Sequence, residues 1–187
     1  MPINIIKCDE NDYQRITDFY KYVIDNTNEM EKYACWKYGQ HPTDEMIKGY
    51  IDDGHMYYEE KDGEIIAAVA LTPFQNEDYH PADWSVNLND DEVLVVHILC
   101  VNPHIQRQGL AKNIMNEIIQ VAWDMEMKAI RLDALCCNKP AHKLYEKCGF
   151  IKRGTQNWYA ENTGWIDFYL YELVLSQLEK THTEIKS

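Results

Sequence analysis

The chain has 187 residues, 45% hydrophobic and 26% charged, a composition that supports one ordinary globular domain, residues 1–187, with a sizeable core. The 18 Lys and Arg residues against 31 Asp and Glu give a formal net charge of −13, which points away from nucleic acid and from anionic membranes as partners. It favours a cationic partner such as an amine, although most of this charge simply solvates the surface.

Met1 to Lys7 lacks a signal-peptide pattern, and Ile3 to Lys7 is the first expected strand. Tyr13, Ile16, Tyr20 and Val23 recur at helical spacing behind Asp9 and Asp12, so a first helix is expected there. An aromatic segment follows, from Tyr33 through Trp36, Tyr38 and His41 to Pro42. Thr43 then reads as the N-cap of a helix whose buried face is Met46, Ile47, Tyr50 and Ile51. Met56 to Glu60 and Glu64 to Thr72 read as strands joined at Asp62-Gly63, a good hairpin signal. Phe74 to Asp91 is a long polar loop carrying Tyr79, His80 and Trp84, and loops of this length in compact domains are often functional.

Val93 to Val101 is the longest apolar run, broken by His97 and too short to span a membrane. It reads as a strand, followed by a helix from about Leu110 to Glu126 with an apolar stripe of Ile114, Met115, Ile118, Ile119 and Ala122. Ala129 to Leu135 is another strand. Asn138-Lys139-Pro140 opens a short helix carrying His142, Leu144, Tyr145 and Cys148, which Gly149 closes. Phe150 to Arg153 and Trp165 to Leu175 read as a closing antiparallel pair, and residues 179–187 as a frayed tail. A strand-helix-strand unit inside a mainly antiparallel pattern implies an α/β (α+β) fold with a mixed sheet and helices on both faces. The six cysteines form no regular framework and read as reduced thiols in a cytoplasmic protein.

Gln106-Arg107-Gln108-Gly109-Leu110-Ala111-Lys112 sits between the Val93–Val101 strand and the next helix, and fits Gln/Arg-x-x-Gly-x-Gly/Ala. Gly109 permits close backbone approach, and the N–H groups at a helix start can cradle a pyrophosphate. A Rossmann turn is disfavoured because the third glycine of GxGxxG is absent, and a Walker A loop because no Gly-Lys-Ser/Thr occurs. Downstream, Tyr145 follows Asn138 by seven residues and Gly149-Phe150 follows by four more. Both halves together resemble the GNAT superfamily of acyl-CoA-dependent N-acyltransferases, well over Glu92 to Arg153 and more loosely over the whole chain.

The resemblance implies a GNAT-like fold, a central and mostly antiparallel sheet with a parallel splayed strand pair. It implies acetyl-CoA as cofactor: Gln106 to Lys112 at its pyrophosphate, the backbone of Leu99, Cys100 and Val101 along the pantetheine arm and thioester, and Asn138 and Tyr145 facing its thiol. The activity implied is transfer of acetyl to a primary amine by direct attack in a ternary complex. Such chemistry needs a base for the protonated amine, N–H groups for the carbonyl and an acid for the departing thiolate. Tyr145 is expected as that acid. For the base, Asp133 stands where ribosomal-protein N-terminal acetyltransferases of the superfamily carry glutamate. His97 stands where arylalkylamine acetyltransferases carry histidine.

Cys100, Cys136 and Cys137 read as core or wall residues, since no histidine is placed to activate them. Neither a CxxC pair nor HExxH is present, so no metal is expected. Trp36, Tyr38 and His41 follow the first helix, where the superfamily builds its acceptor wall. Trp158, Tyr159 and Trp165 fall in a segment resembling the closing hairpin of the N-terminal acetyltransferases, and these aromatics suit stacking or cation–π contact as well as core or dimer packing. The acceptor is expected to be a small amine, with a peptide N-terminus as the alternative and a non-catalytic acyl-CoA sensor as a third reading. The protein is expected to be a monomer or homodimer.

Overall fold

The structure, a computed structural model, describes residues 5–105 and 109–178. The chain runs β1 (Ile5–Lys7), α1 (Tyr13–Asn26), α2 (Met30–Tyr33), α3 (Asp44–Asp52), β2 (Met56–Lys61), β3 (Glu64–Thr72), β4 (Val93–Val101), α4 (Leu110–Asp124), β5 (Ala129–Leu135), α5 (Lys139–Lys147), β6 (Ile151–Ala160) and β7 (Gly164–Val174). The strands form one seven-stranded sheet in the order β1-β2-β3-β4-β5-β7-β6. Only β4 and β5 are parallel; every other pair is antiparallel. This is the mixed sheet that the strand-helix-strand pattern implies.

Local chemistry explains the elements. Asp62 and Gly63 both take positive φ, the conformation that a two-residue hairpin turn demands. Thr43 caps α3 by accepting from the Met46 N–H at 3.1 Å, and Asn138 caps α5 by accepting from the Ala141 N–H at 3.3 Å. The alternation of strand side chains sends Leu94, Val96, Ile130 and Leu132 to one face, where the α4 stripe Ile114, Met115, Ile118 and Ala122 meets them with Tyr145 of α5. The opposite face receives Ile16, Tyr20 and Val23 of α1 and Ile47 and Ile51 of α3. Among the described residues no helix is long and apolar enough to cross a membrane.

The expected elements appear among the described residues, with two adjustments; residues 3–4 of the first expected strand lie outside them. The aromatic segment contains the short helix α2, and β6 runs ten residues, to Ala160, rather than stopping near Arg153. The polar stretch Gly154 to Asn157 shows no β alternation of its own, but it pairs residue for residue with β7, and pairing overrides propensity.

The long loop after β3 folds onto the sheet in two short 3₁₀ turns, Glu77–Tyr79 and Asp90–Glu92. A buried ion pair fastens it. Arg131 of β5 donates from Nη2 (2.8 Å) and Nε (3.1 Å) to Oε1 of Glu172 on β7, and both side chains are almost wholly buried. Its remaining donors reach the loop, Nη1 to Gln75 Oε1 (2.6 Å) and Nη2 to the Val86 carbonyl (3.0 Å), while Trp84 lies flat on the guanidinium. Oε2 of Glu172 accepts from the Ser85 N–H, the Ser85 hydroxyl and Arg153 Nε. Removing the cation leaves a buried carboxylate with one cation fewer, which typically costs 3–5 kcal/mol. Arg131→Met should therefore lower unfolding free energy in urea by about 3–5 kcal/mol. A loss under about 1 kcal/mol would show that the pair is dispensable to the fold.

Candidate active site

The parallel pair holds together only from Val93–Val96 against Ala129–Leu132. Beyond that, β4 stays with β3 while Asp133, Ala134 and Leu135 stay with β7, so the sheet parts between them. A bulge lies on the β4 side of the opening: Ile98 takes φ +44°, and the register with β3 shifts between Ala68 and Ala70. The extra residue turns both His97 and Ile98 to the α1/α3 side, and leaves Leu99 and Val101 packed toward α4 with Cys100 toward α1. Tyr20 of α1, fully enclosed, holds the bulge by donating its hydroxyl to the Ile98 carbonyl at 2.9 Å.

At the far end of β4 the chain reaches Gly109, which takes φ +81° and forms the N-cap of α4. Among the described residues a Cβ there would meet no atom within 4 Å, so glycine is required by its conformation and not by crowding. No described side chain caps the first turn of α4, where Leu110, Ala111 and Lys112 present their N–H groups. Gln106, Arg107 and Gln108 lie outside the described residues, as does the expected frayed tail. Asn138 stands at the start of α5, at the end of the other parted strand, with its Oδ1 committed to the cap.

Asp133 lies on the α1/α3 face at the point of parting. It is half-buried, with part of its surface open to solvent. Its Oδ1 accepts the Tyr79 hydroxyl at 2.6 Å. Burial pushes the Asp133 carboxyl above the ordinary aspartate range, and the Tyr79 hydrogen bond holds it partly back down. Tyr50 of α3 feels the same charge, since burial and then Asp133 push its hydroxyl up to about 12.

Tyr50 in turn stacks on His97, ring centroids 5.7 Å apart. His97 Nε2 lies 3.1 Å from Thr72 Oγ1, a hydroxyl also 3.1 Å from the Phe74 carbonyl. Burial, followed by nearby His55, lowers the imidazole pKa to about 4, so the ring is neutral near pH 7.

Tyr145 belongs to the opposite face, packed among Phe150 and Tyr171. Burial first and the Asp133 charge second raise its hydroxyl well above an ordinary tyrosine. The two groups thus sense each other through the gap in the sheet, with the carboxylate on one face and the phenol on the other.

The remaining expected residues divide. Trp36 packs beside Tyr20 and His41 on the α1/α3 side, and Trp158 packs against Tyr79 and Phe168. The segment carrying Trp36 crosses the open end of β5: Cys137 Sγ donates to the Tyr33 carbonyl (3.5 Å), and Asn162 Nδ2 of the β6–β7 turn donates to the Cys35 carbonyl (2.8 Å). Tyr38 points outward, with Lys21 over its ring and Asp44 at its hydroxyl. Tyr159 and Trp165 pair with each other toward the hairpin tip, Trp165 being 72% exposed. Cys100 is buried on the α1 side and burial raises its thiol, which fits a core role; none of the six cysteines is in a disulfide. The residues that sequence reasoning passed over are Tyr50 and Tyr79. Tyr50 was indistinguishable from the apolar face of its helix, and only the length of the Tyr79 loop hinted at a role.

The sheet thus parts between two parallel strands, with a helix N-terminus free of any described side-chain cap on one side and a carboxylate and a phenol on its two faces. Residues 19–150 match the model of the acetyltransferase (GNAT) family, and the chain belongs to that family. It is 30% identical over 108 residues to the uncharacterized N-acetyltransferase YesJ of Bacillus subtilis; the match covers 56% of this chain and 57% of that relative. Similar solved structures include an N-acetyltransferase from Staphylococcus aureus Mu50 (TM-score 0.65, 17% identity, 91% of this chain and 97% of that one). Another is yncA of Salmonella typhimurium, solved with its cofactor acetyl-CoA (TM-score 0.63, 17% identity, 91% and 92%). A third is the ribosomal-protein-S18-alanine N-acetyltransferase of Escherichia coli (TM-score 0.64, 16% identity, 91% and 92%). At these identities the likeness is one of fold.

The depressed pKa of His97 has a consequence for stability. An unfolded His97 takes up a proton below pH 6.5, whereas the folded ring refuses it until about pH 4. Its contribution is therefore complete above pH 6.5 and lost as pH falls through that window, by about 3 kcal/mol in all. Denaturation of wild type and His97→Gln across this range should show the wild type falling more steeply by about that amount. Parallel curves would mean that the ring titrates normally.

Proposed function

We propose that the chain is a single GNAT domain that transfers the acetyl group of acetyl-CoA to a small primary amine, by direct attack in a ternary complex. The observation that carries this reading is the opening between β4 and β5, with Asp133 on one face and Tyr145 on the other. The residues suit the cofactor: the start of α4 behind Gly109, free of any described side-chain cap, suits a pyrophosphate, and the parted backbone of Leu99 to Val101 runs alongside the route to Asn138 and Tyr145. When bound, acetyl-CoA supplies an activated acyl carbon and a thiolate leaving group.

Asp133 is the better of the two candidate bases. Its carboxylate gains proton affinity by burial, stays partly open to solvent and is held by the Tyr79 hydroxyl at 2.6 Å, whereas the ring of His97 is stacked on Tyr50 with Nε2 beside Thr72. His97, neutral and with its Nδ1 away from the Thr72 contact, suits holding an acceptor or a water in place. The raised hydroxyl of Tyr145 suits donating a hydrogen bond to the departing sulfur more than surrendering its proton outright. The net charge of −13 favours a cationic acceptor.

A second reading, a peptide N-terminus as acceptor, is favoured by one observation: the exposed Tyr159–Trp165 pair at the hairpin extends the wall beyond the cleft. A panel of amines, polyamines, aminoglycosides and peptides, with thiol release as the readout, separates the two. Transfer to none of them would support the acyl-CoA sensor instead.

Asp133→Asn should lower kcat/KM roughly 100-fold or more, the usual contribution of a general base. In the wild type, kcat/KM should fall as pH drops through the raised Asp133 pKa, with the limb above the 3.8 of an ordinary aspartate, and His97→Gln should leave that limb in place. Tyr145→Phe should lower kcat about tenfold or more with cofactor affinity nearly unchanged. A Tyr145→Phe enzyme with full turnover would remove Tyr145 from the reaction.

A further inference from the structure

We infer that Tyr79, carried on the loop between β3 and β4, is the positioning residue for Asp133, so that this loop is a built part of the active site. The inference rests on the reading of Asp133 as the base.

The geometry is specific. The Tyr79 hydroxyl stands 2.6 Å from Asp133 Oδ1, and an ionised carboxylate only accepts, so the phenol donates. That distance falls in the range of hydrogen bonds to a charged oxygen, which are about twice as strong as neutral ones. The bond fixes the carboxylate plane and occupies one oxygen, leaving Oδ2 for the proton to be removed. Tyr50 of α3 and Tyr145 of α5 also feel its charge, but only Tyr79 among the described phenols bonds it. His97 of β4 lies one ring further, stacked on Tyr50 and neutral. Arg131, two residues earlier on β5, is committed to Glu172 and Gln75. Tyr79 is thus the hydrogen-bond donor to Asp133 that the described residues supply.

The ring cannot swing away cheaply. It lies between Trp84, nearly parallel at 5.9 Å, and Trp158 at 5.9 Å, and its own carbonyl accepts the Trp84 Nε1–H at 2.7 Å. Trp84 is itself laid on the Arg131 guanidinium, whose Nη1 also binds Gln75 at the loop's start. The loop is therefore held against the sheet by the buried ion pair, and its bonded phenol is delivered to the catalytic carboxylate before any acceptor arrives. Such prior placement is what distinguishes a fixed base from a mobile one.

The test is Tyr79→Phe, which keeps the ring between the two tryptophans and deletes only the donor. Loss of a hydrogen bond to the charged form should move the acid limb of kcat/KM up by about one pH unit. The plateau kcat should fall about tenfold, with acceptor KM changed less than about twofold. In an Asp133→Asn background the same substitution should have no further effect on the residual rate, whereas a merely structural role would persist there. The Asp133 carboxyl carbon, followed by NMR titration in wild type and Tyr79→Phe, gives a readout independent of turnover and should titrate about one unit higher in the variant. An unmoved limb, an unmoved carboxyl titration or an undiminished effect in the Asp133→Asn background would overturn the inference. Full activity in Asp133→Asn with a shifted carboxyl titration would instead sink the reading of Asp133 as base and leave the Tyr79–Asp133 bond standing.

Discussion

The buried pair of Arg131 and Glu172 is the interaction on which the site depends. Ion pairs of this kind contribute little net stability, because desolvation of two charges offsets most of their attraction. What this one contributes is placement. Two adjacent strands, β5 and β7, each present one charge to the same face, and the leftover donors and acceptors of both side chains are satisfied almost entirely by the long loop. An apolar pair of the same volume would hold the strands equally well, but it would give the loop no reason to lie in one conformation.

The second constraint is the bulge at Ile98. In an unbroken parallel pair, β4 would continue beside β5 and every backbone group between them would be spent on the ladder. The bulge bends β4 toward β3, and Tyr20 takes the carbonyl that the bend exposes. The cost of a positive φ at a β-branched residue is thereby tied to an opening in the sheet, which is where strained backbone tends to be found in functional proteins. Through that opening the two faces communicate. Without it, Asp133 and Tyr145 would be separated by a closed layer of backbone.

Much of this was legible in the sequence, and the division follows the range of the interactions. The strand, glycine turn and helix from Val93 to Ala122, and the cap, helix and glycine stop from Asn138 to Gly149, are written in local periodicity and turn chemistry. Together they carried the resemblance to the GNAT superfamily, and that resemblance implied the cofactor. The candidate acid and bases came from the same resemblance. Tyr79 was not legible, since it meets Asp133 across 54 residues and sits in a loop whose composition is merely polar. Nor was the pairing of Arg131 with Glu172, 41 residues apart in the chain. The bulge at Ile98 left no mark at all, because isoleucine is a poor residue for positive φ and only the tertiary contact with Tyr20 explains it.

These features bear together on the central difficulty of the proposed reaction, which is that an amine arrives protonated and must leave its proton behind. In water, an alkylammonium resembling lysine has a pKa near about 10.4 and an aspartate near about 3.9, so direct transfer is steeply uphill. The cleft shifts both in the helpful direction. Burial raises Asp133, and the same desolvation lowers an incoming amine, which brings the two proton affinities together. Desolvation alone, carried far enough, would leave Asp133 protonated and useless. The Tyr79 hydrogen bond sets the limit, because it favours the charged form and is held in place by the anchored loop. Of the described groups named around it, His97 is neutral and the phenols keep their protons, while Arg131 is paired with Glu172, which it shares with Arg153. On the proposed reading of Asp133 as the base, the loop would balance a carboxylate that must be desolvated enough to accept a proton, yet ionised enough to be a base when the amine enters.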